Sequence, residues 1–169
     1  MSGASSAFTQ GYLTDRQAAN IKRRDLDLSE LIELCAQPEK FEDRVAAVQR
    51  YSAIYPELKY FLIVAYFYRD AFSDILSIGP LDWQPSNVPK GGSVETLKSM
   101  WRQVNRMYDT FPTGPRTKRA VAHQLLPSLH KDDAKLLAEI IQGKYYRKEL
   151  NESVVAAAFP GDVPQDPNA

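Results

Sequence analysis

Residues 123–161, HQLLPSLHKDDAKLLAEIIQGKYYRKELNESVVAAAFPG, read as three helices joined by short turns of distinct chemistry, and they decide the fold class. Leu136, Leu137, Ile140 and Ile141 recur at helical spacing behind an acidic first turn, Asp132 and Asp133, which suits the positive end of a helix dipole. Gly143 closes that helix, and a basic turn, Lys144-Tyr145-Tyr146-Arg147-Lys148, follows it. Asn151 then caps a new helix. Leu150 and Val155 are placed as a hydrophobic staple across its start, and Pro160-Gly161 stops it.

Working outward, the same periodicity continues. Val121, Ala122, Leu125 and Leu126 mark a helix that begins after the turn 111–115 and ends at Pro127. Residues 94–108 form another, with Leu97, Trp101, Val104 and Tyr108 inward and Lys98, Arg102 and Arg106 along a different side. Residues 77–93 hold three prolines and three glycines and read as one long irregular stretch. Trp83 within it either pins its own loop to the core or stacks on a partner. Before it, ELKYFLIVAYFYRDAFSDIL is apolar nearly all round from Phe61 to Phe67, which makes it the central helix on which the others pack. Pro38 suits the first position of a helix running to Tyr55, with Phe41, Val45, Val48 and Tyr51 or Ser52 on one face. Leu31, Ile32, Leu34 and Cys35 form a short amphipathic helix behind Asp27, and Thr14 or Asp15 starts one ending in Lys22, Arg23 and Arg24.

The expected fold is therefore all-α, a single compact domain of about seven or eight helices around a central apolar helix. It spans 13–161, between a mobile segment 1–12 and a flexible acidic tail 162–169. The expected core includes Phe61, Leu62, Val64, Ala65, Leu97, Trp101, Leu125, Leu137, Ile140, Val154 and Phe159.

A share of 44% hydrophobic residues suits a globular domain, and one cysteine, Cys35, excludes an internal disulfide and points to a reducing compartment. The first residues lack a basic, apolar leader, and the most apolar window is far shorter than the ~20 residues a membrane helix needs. The expected location is the cytoplasm, with no membrane partner.

The turn-and-helix pattern of 123–161 carries a resemblance. Asp132-Asp133 opening an apolar helix, a short basic turn, and a small apolar helix ending in Phe159-Pro160-Gly161 resemble the end of the helical N-terminal DNA-binding domain of T4-type phage ATP-dependent DNA ligases. The resemblance implies a stand-alone helical module, phage-encoded and acting in the host cytoplasm, with double-stranded DNA or a replication or transcription protein as partner. Two departures bear on function. The ligase domain has a glycine in the turn before its last helix, where backbone nears DNA, and here that turn reads Lys148-Glu149. The Lys-x-Asp-Gly adenylation motif is absent from the chain, so no ligase activity is expected.

Net charge is zero, yet residues 93–148 are basic. Lys98, Arg102, Arg106, Arg116, Lys118, Arg119, Lys131, Lys135, Lys144, Arg147 and Lys148 stand there against Glu95, Asp109, Asp132, Asp133 and Glu139. Arg116, Lys118 and Arg119 crowd the head of a helix, where positive charge opposes the dipole unless an anion is present, so this is a candidate phosphate site. The expected DNA-contacting residues are Arg116, Lys118, Arg119, His123, Lys131, Lys144, Arg147 and Lys148. His123 and His130 lack metal-ligand spacing, and no catalytic cluster, metal, cofactor or small-molecule substrate is indicated. Two functions remain open: a non-catalytic module gripping the DNA backbone through helix ends and basic turns, and an adaptor docking on a phage or host polymerase, sliding clamp or other complex.

Overall fold

The computed structural model describes residues 26–90, 92 and 96–164. Among them are eight α-helices and no strand. They are α1 (Leu28–Ala36), α2 (Phe41–Ile54), α3 (Pro56–Phe67), α4 (Ser73–Ser77), α5 (Leu97–Asn105), α6 (Pro115–Leu125), α7 (Lys131–Ile141) and α8 (Glu152–Ala158). Short 3-10 turns at Leu126–Ser128 and Lys148–Leu150 precede α7 and α8. The segment 1–12, the helix expected over 14–24 with its basic run, and residues 165–169 lie outside the described residues.

The centre is α3, as its composition dictates. Pro56 sits at its first position, where a missing N–H costs nothing, and Leu58 and every residue from Phe61 to Tyr66 is buried. A helix apolar on all sides must be surrounded. Accordingly α1, α2, α5, α7 and α8 all pack on it. All eleven residues expected in the core are buried. Phe61, fully enclosed, meets the edge of Tyr145 with ring centroids 5.0 Å apart, and its burial contributes about 2–3 kcal/mol.

Two helix starts differ from expectation. α2 begins at Phe41 rather than Pro38, because Arg44 Nε and Nη2 donate to the carbonyls of Pro38 and Glu39, at 2.7 and 3.0 Å, and hold them outside the helix. Phe41 is consequently exposed, and the buried stripe runs through Ala47, Val48 and Ser52 towards α1, α3 and α8. α5 begins at Leu97, where Thr96 and Ser99 form a capping box.

The C-terminal turns follow their sequence. Gly143 ends α7 with φ +68°, a left-handed conformation that excludes side chains at little cost only for glycine. Arg69 donates from Nη1 to the carbonyls of Gly143 and Tyr145, at 3.3 and 3.2 Å. Asn151 caps α8 by accepting from the Val154 N–H at 3.2 Å, and the staple residues Leu150 and Val155 are both fully buried. The start of the tail is held, since Asp162 pairs with Lys59 at 2.8 Å and Val163 packs on the core.

The head of α7 is more elaborate than a dipole argument foresees. His130 caps it through Nδ1, which accepts from the Asp132 N–H at 3.2 Å. Asp133, buried, accepts from the Ser29 N–H at 2.9 Å, so one carboxylate serves the first turn of α7 and that of α1. Burial pushes its carboxyl above the usual range. Trp83 packs on the core, and Ser86 Oγ donates to the Leu129 carbonyl at 2.8 Å, so both fasten the proline-rich stretch to the domain. Among the described residues no helix is long and apolar enough to cross a membrane.

Candidate functional site

The basic cluster at the head of α6 is largely spent inside the protein. Lys118 was expected on the surface but is 1% exposed. Its Nζ lies 2.9 Å from Asp74 Oδ2 and donates to the Asp109 carbonyl at 3.2 Å. The anion that this helix head calls for is therefore a carboxylate of the chain itself. Arg119 turns the same way: Nη1 donates to the carbonyls of Ile75 and Gly79, at 3.3 and 3.0 Å, and Nη2 to that of Pro80. It caps the C-terminal end of α4 by taking the Ile75 carbonyl together with those of Gly79 and Pro80 just beyond the helix. Arg116 alone of the three is exposed. Lys118 thus cannot reach a phosphate in this arrangement, and Arg119 would have to leave its carbonyls to do so.

The remaining candidates divide. His123 is half-buried, and its Nε2 is enclosed without a hydrogen-bond partner, which removes that atom from any backbone contact. Arg147 grips Glu33 through both guanidinium nitrogens and lies 3.7 Å from Glu149. Its N–H also donates to the Tyr66 hydroxyl at 3.0 Å. Lys131, Lys144 and Lys148 are exposed. Lys131 opens α7 and Lys144 lies beyond its end, a separation along the axis of about 16 Å from the rise of an 11-residue helix. Lys144 follows Gly143, whose carbonyl Arg69 contacts, and Arg116 lies two residues before Lys118, which pairs with Asp74. Lys131 sits at the opposite end of α7.

The Arg147–Glu33 pair has a measurable signature. The Arg147 guanidinium holds the Glu33 carboxyl below its usual range, with Lys90 assisting. A depressed folded-state pKa means stabilisation that is present above the unfolded pKa and lost as pH falls through the folded one. Glu33→Gln should therefore flatten the acid limb of stability below pH ~4.5. It should cost under about 1 kcal/mol at neutral pH, because the pair is exposed. Urea titrations at pH 3, 4, 5 and 7 check this, and an unchanged acid limb would refute it.

Sequence reasoning missed a surface that carries no formal charge. Tyr60, Ile63, Val64 and Tyr68 from α3 and its end, with Trp101, Asn105 and Tyr108 from α5 and its end, line a shallow groove of about 310 Å³. Tyr60 and Tyr68 are 44% and 46% exposed, and the Tyr60 ring lies 6.2 Å from that of Trp101. The signal was present: tyrosines replace aliphatic residues at the two ends of an otherwise aliphatic and phenyl helix, where one side of each ring meets water. Periodicity assigned Trp101 and Tyr108 to the interior, and Trp101 is buried and Tyr108 packs against the core, while the outer edge of each also lines the groove.

Cys35 is fully buried and its thiol is pushed up to about 12 by desolvation, which makes it inert. Among the described residues no three His, Cys, Asp or Glu side chains gather in a way that could hold a metal ion. Comparison of the chain with protein-family models, with curated proteins and with solved structures finds no match.

Proposed function

We propose that this protein is a non-catalytic helical adaptor that docks on a protein partner through the aromatic groove between α3 and α5. The groove carries this reading. Tyrosine and tryptophan are the side chains enriched at the centres of protein interfaces, where charged groups are depleted, and every residue lining the groove is uncharged. The internal use of Lys118, Arg119 and Arg147 weighs the same way, because it commits three of the eight residues expected to hold DNA to partners within the protein. The resemblance of 123–161 to a phage ligase domain directs the choice of partner towards a replication or transcription protein of phage or host. The turn before α8 reads Lys148-Glu149 where the ligase domain has a glycine close to DNA, which weighs against the same DNA contact.

A second reading is sequence-independent binding to double-stranded DNA, favoured by the exposed Arg116, Lys131, Lys144 and Lys148. The two separate in one pair of experiments. A photo-cross-linking amino acid placed at Tyr60 or Tyr68 in cells should yield a discrete protein adduct, and one placed at exposed Glu42 should not. Duplex DNA should show no anisotropy change with micromolar protein at ~50 mM salt. Absence of a groove-specific adduct, together with DNA binding whose salt slope falls by about one for each of Arg116→Ala and Lys144→Ala, would replace the adaptor by the DNA module.

A further inference from the structure

The aromatic groove has a positive edge. Beneath it α3 and α5 run side by side in the same direction: the Tyr60 ring meets that of Trp101 at one end, and Phe72 stacks on Tyr108 at the other, with ring centroids 5.1 Å apart. From Tyr60 to Tyr68 the helical rise gives about 12 Å, close to the spacing of apolar anchors two turns apart on a helical segment. The floor is made by Ile63, Val64 and Trp101, all buried, and the exposed side chains of Tyr60, Tyr68 and Asn105 rise around it.

The sequence of α5, LKSMWRQVN, holds no carboxylate. Lys98 and Arg102 precede Asn105 by seven and three residues, so the three share one stripe of the helix and the two cations stand along the outer edge of the groove. Both are exposed, and neither side chain is hydrogen-bonded or ion-paired to a described residue. Arg106, one turn on, is turned away to Gln103, whose side-chain oxygen accepts from its Nη1 at 3.1 Å. The nearest carboxylates of the opposite wall stand at its ends: Glu57, half-buried, one turn before Tyr60, and Asp70 two residues past Tyr68. Asp109, beside Tyr108, is taken by the Ser73 hydroxyl and the Asp74 N–H. On the α3 side Lys59 is paired with Asp162. The middle of the groove is therefore uncharged, and the unpaired positive charge beside it lies along α5 alone.

Resting on the reading of this groove as a docking surface, we infer that its occupant is an acidic segment of another protein, with two apolar side chains about two turns apart and carboxylates on the side that faces α5. The anchors fill the space between Tyr60 and Tyr68 over Ile63 and Val64, and the carboxylates meet Lys98 and Arg102. Charge at the rim of an interface acts on encounter and on the choice of partner more than on the strength of the apolar contact, so the edge selects and the groove holds. Single-stranded nucleic acid also suits cations beside aromatic rings, but its bases need open ring faces, and Trp101 is 4% exposed with the Tyr60 ring set against it.

The test is a selection from a displayed library of random dodecapeptides against the full chain, followed by fluorescence anisotropy of the enriched peptides as free synthetic chains. Peptides that bind in the groove, recognised by their loss with Tyr60→Ala and Tyr68→Ala, should carry an excess of Asp and Glu around Leu, Phe or Trp. Lys98→Glu combined with Arg102→Glu should weaken them by about tenfold or more, because like charges then face each other, and a selection repeated on that variant should turn to basic peptides. Glu57→Gln should change their affinity by less than about twofold, since its carboxylate lies off the α5 edge. Groove-dependent peptides without an acidic excess, or an unchanged affinity after the charge reversal, would overturn the inference and leave the docking groove standing. A selection that yields no peptide dependent on Tyr60 and Tyr68 would overturn both. An oligothymidylate that displaces the peptides at micromolar concentration would replace the acidic segment by single-stranded nucleic acid. Lys98 and Arg102 are exposed, so the charge reversal leaves the fold intact and is read directly as binding.

Discussion

Replacing Gly143 by alanine is expected to destabilise the protein by about 2–4 kcal/mol and to lower its melting temperature by about 5–15 °C. Two independent costs fall on one methyl group. The residue has φ +68°, where an L side chain is strained by about 1–2 kcal/mol. A Cβ at that position would also lie 2.7 Å from the Arg69 carbonyl oxygen, which is backbone and cannot swing aside. Relief requires moving the 69–72 turn or the end of α7, and Arg69 ties those two together through Gly143 and Tyr145. Thermal and urea denaturation measure the loss. A variant within ~0.5 kcal/mol of wild type would show that the approach of these two turns is looser than described.

Lys118→Ala should lose about 2–3 kcal/mol, a large effect for a lysine. The change strands the Asp109 carbonyl and leaves Asp74 without its cation at the contact between α4 and α6. The estimate lies below the 3–5 kcal/mol typical of a broken buried pair, because the Asp74 side chain is 38% exposed and rehydrates. Lys118→Met restores the volume of the aliphatic stem and should recover part of the loss. Denaturation of both variants checks the order wild type, Met, Ala. A fully stable Lys118→Ala protein would mean that the ammonium is solvated after all.

Local signals carried much of the fold. The end of α7, the cap and staple of α8 and the burial of α3 follow from Gly143, Asn151 and an unbroken apolar run, each of which acts within one or two turns of its own position. The side chains that define the sites were harder to read, because their partners lie far away. Lys118 finds Asp74 across 44 positions, and Arg147 finds Glu33 across 114. One clue was available for Lys118: it precedes Val121, Ala122 and Leu125 by three, four and seven residues, so it shares their buried stripe. Charge was read as exposure there, and the helical period gave the better answer. Arg119, one residue on, has no such clue, since its role depends on where α4 ends.

Several of the fastenings described above share a property of order in time. Ser29 meets Asp133 104 positions later, Gln49 Nε2 donates to the Ala158 carbonyl at 109, and Glu33 meets Arg147 at 114. A chain emerging from the ribosome N-terminus first presents α1 to α3 long before α7 and α8 exist to cover them. For that interval the apolar run from Phe61 to Tyr66 lacks half of its neighbours, and closure waits for the last fifty residues or so. The nascent protein is therefore obliged to carry its most apolar helix only partly covered from the completion of α3 until α7 and α8 emerge.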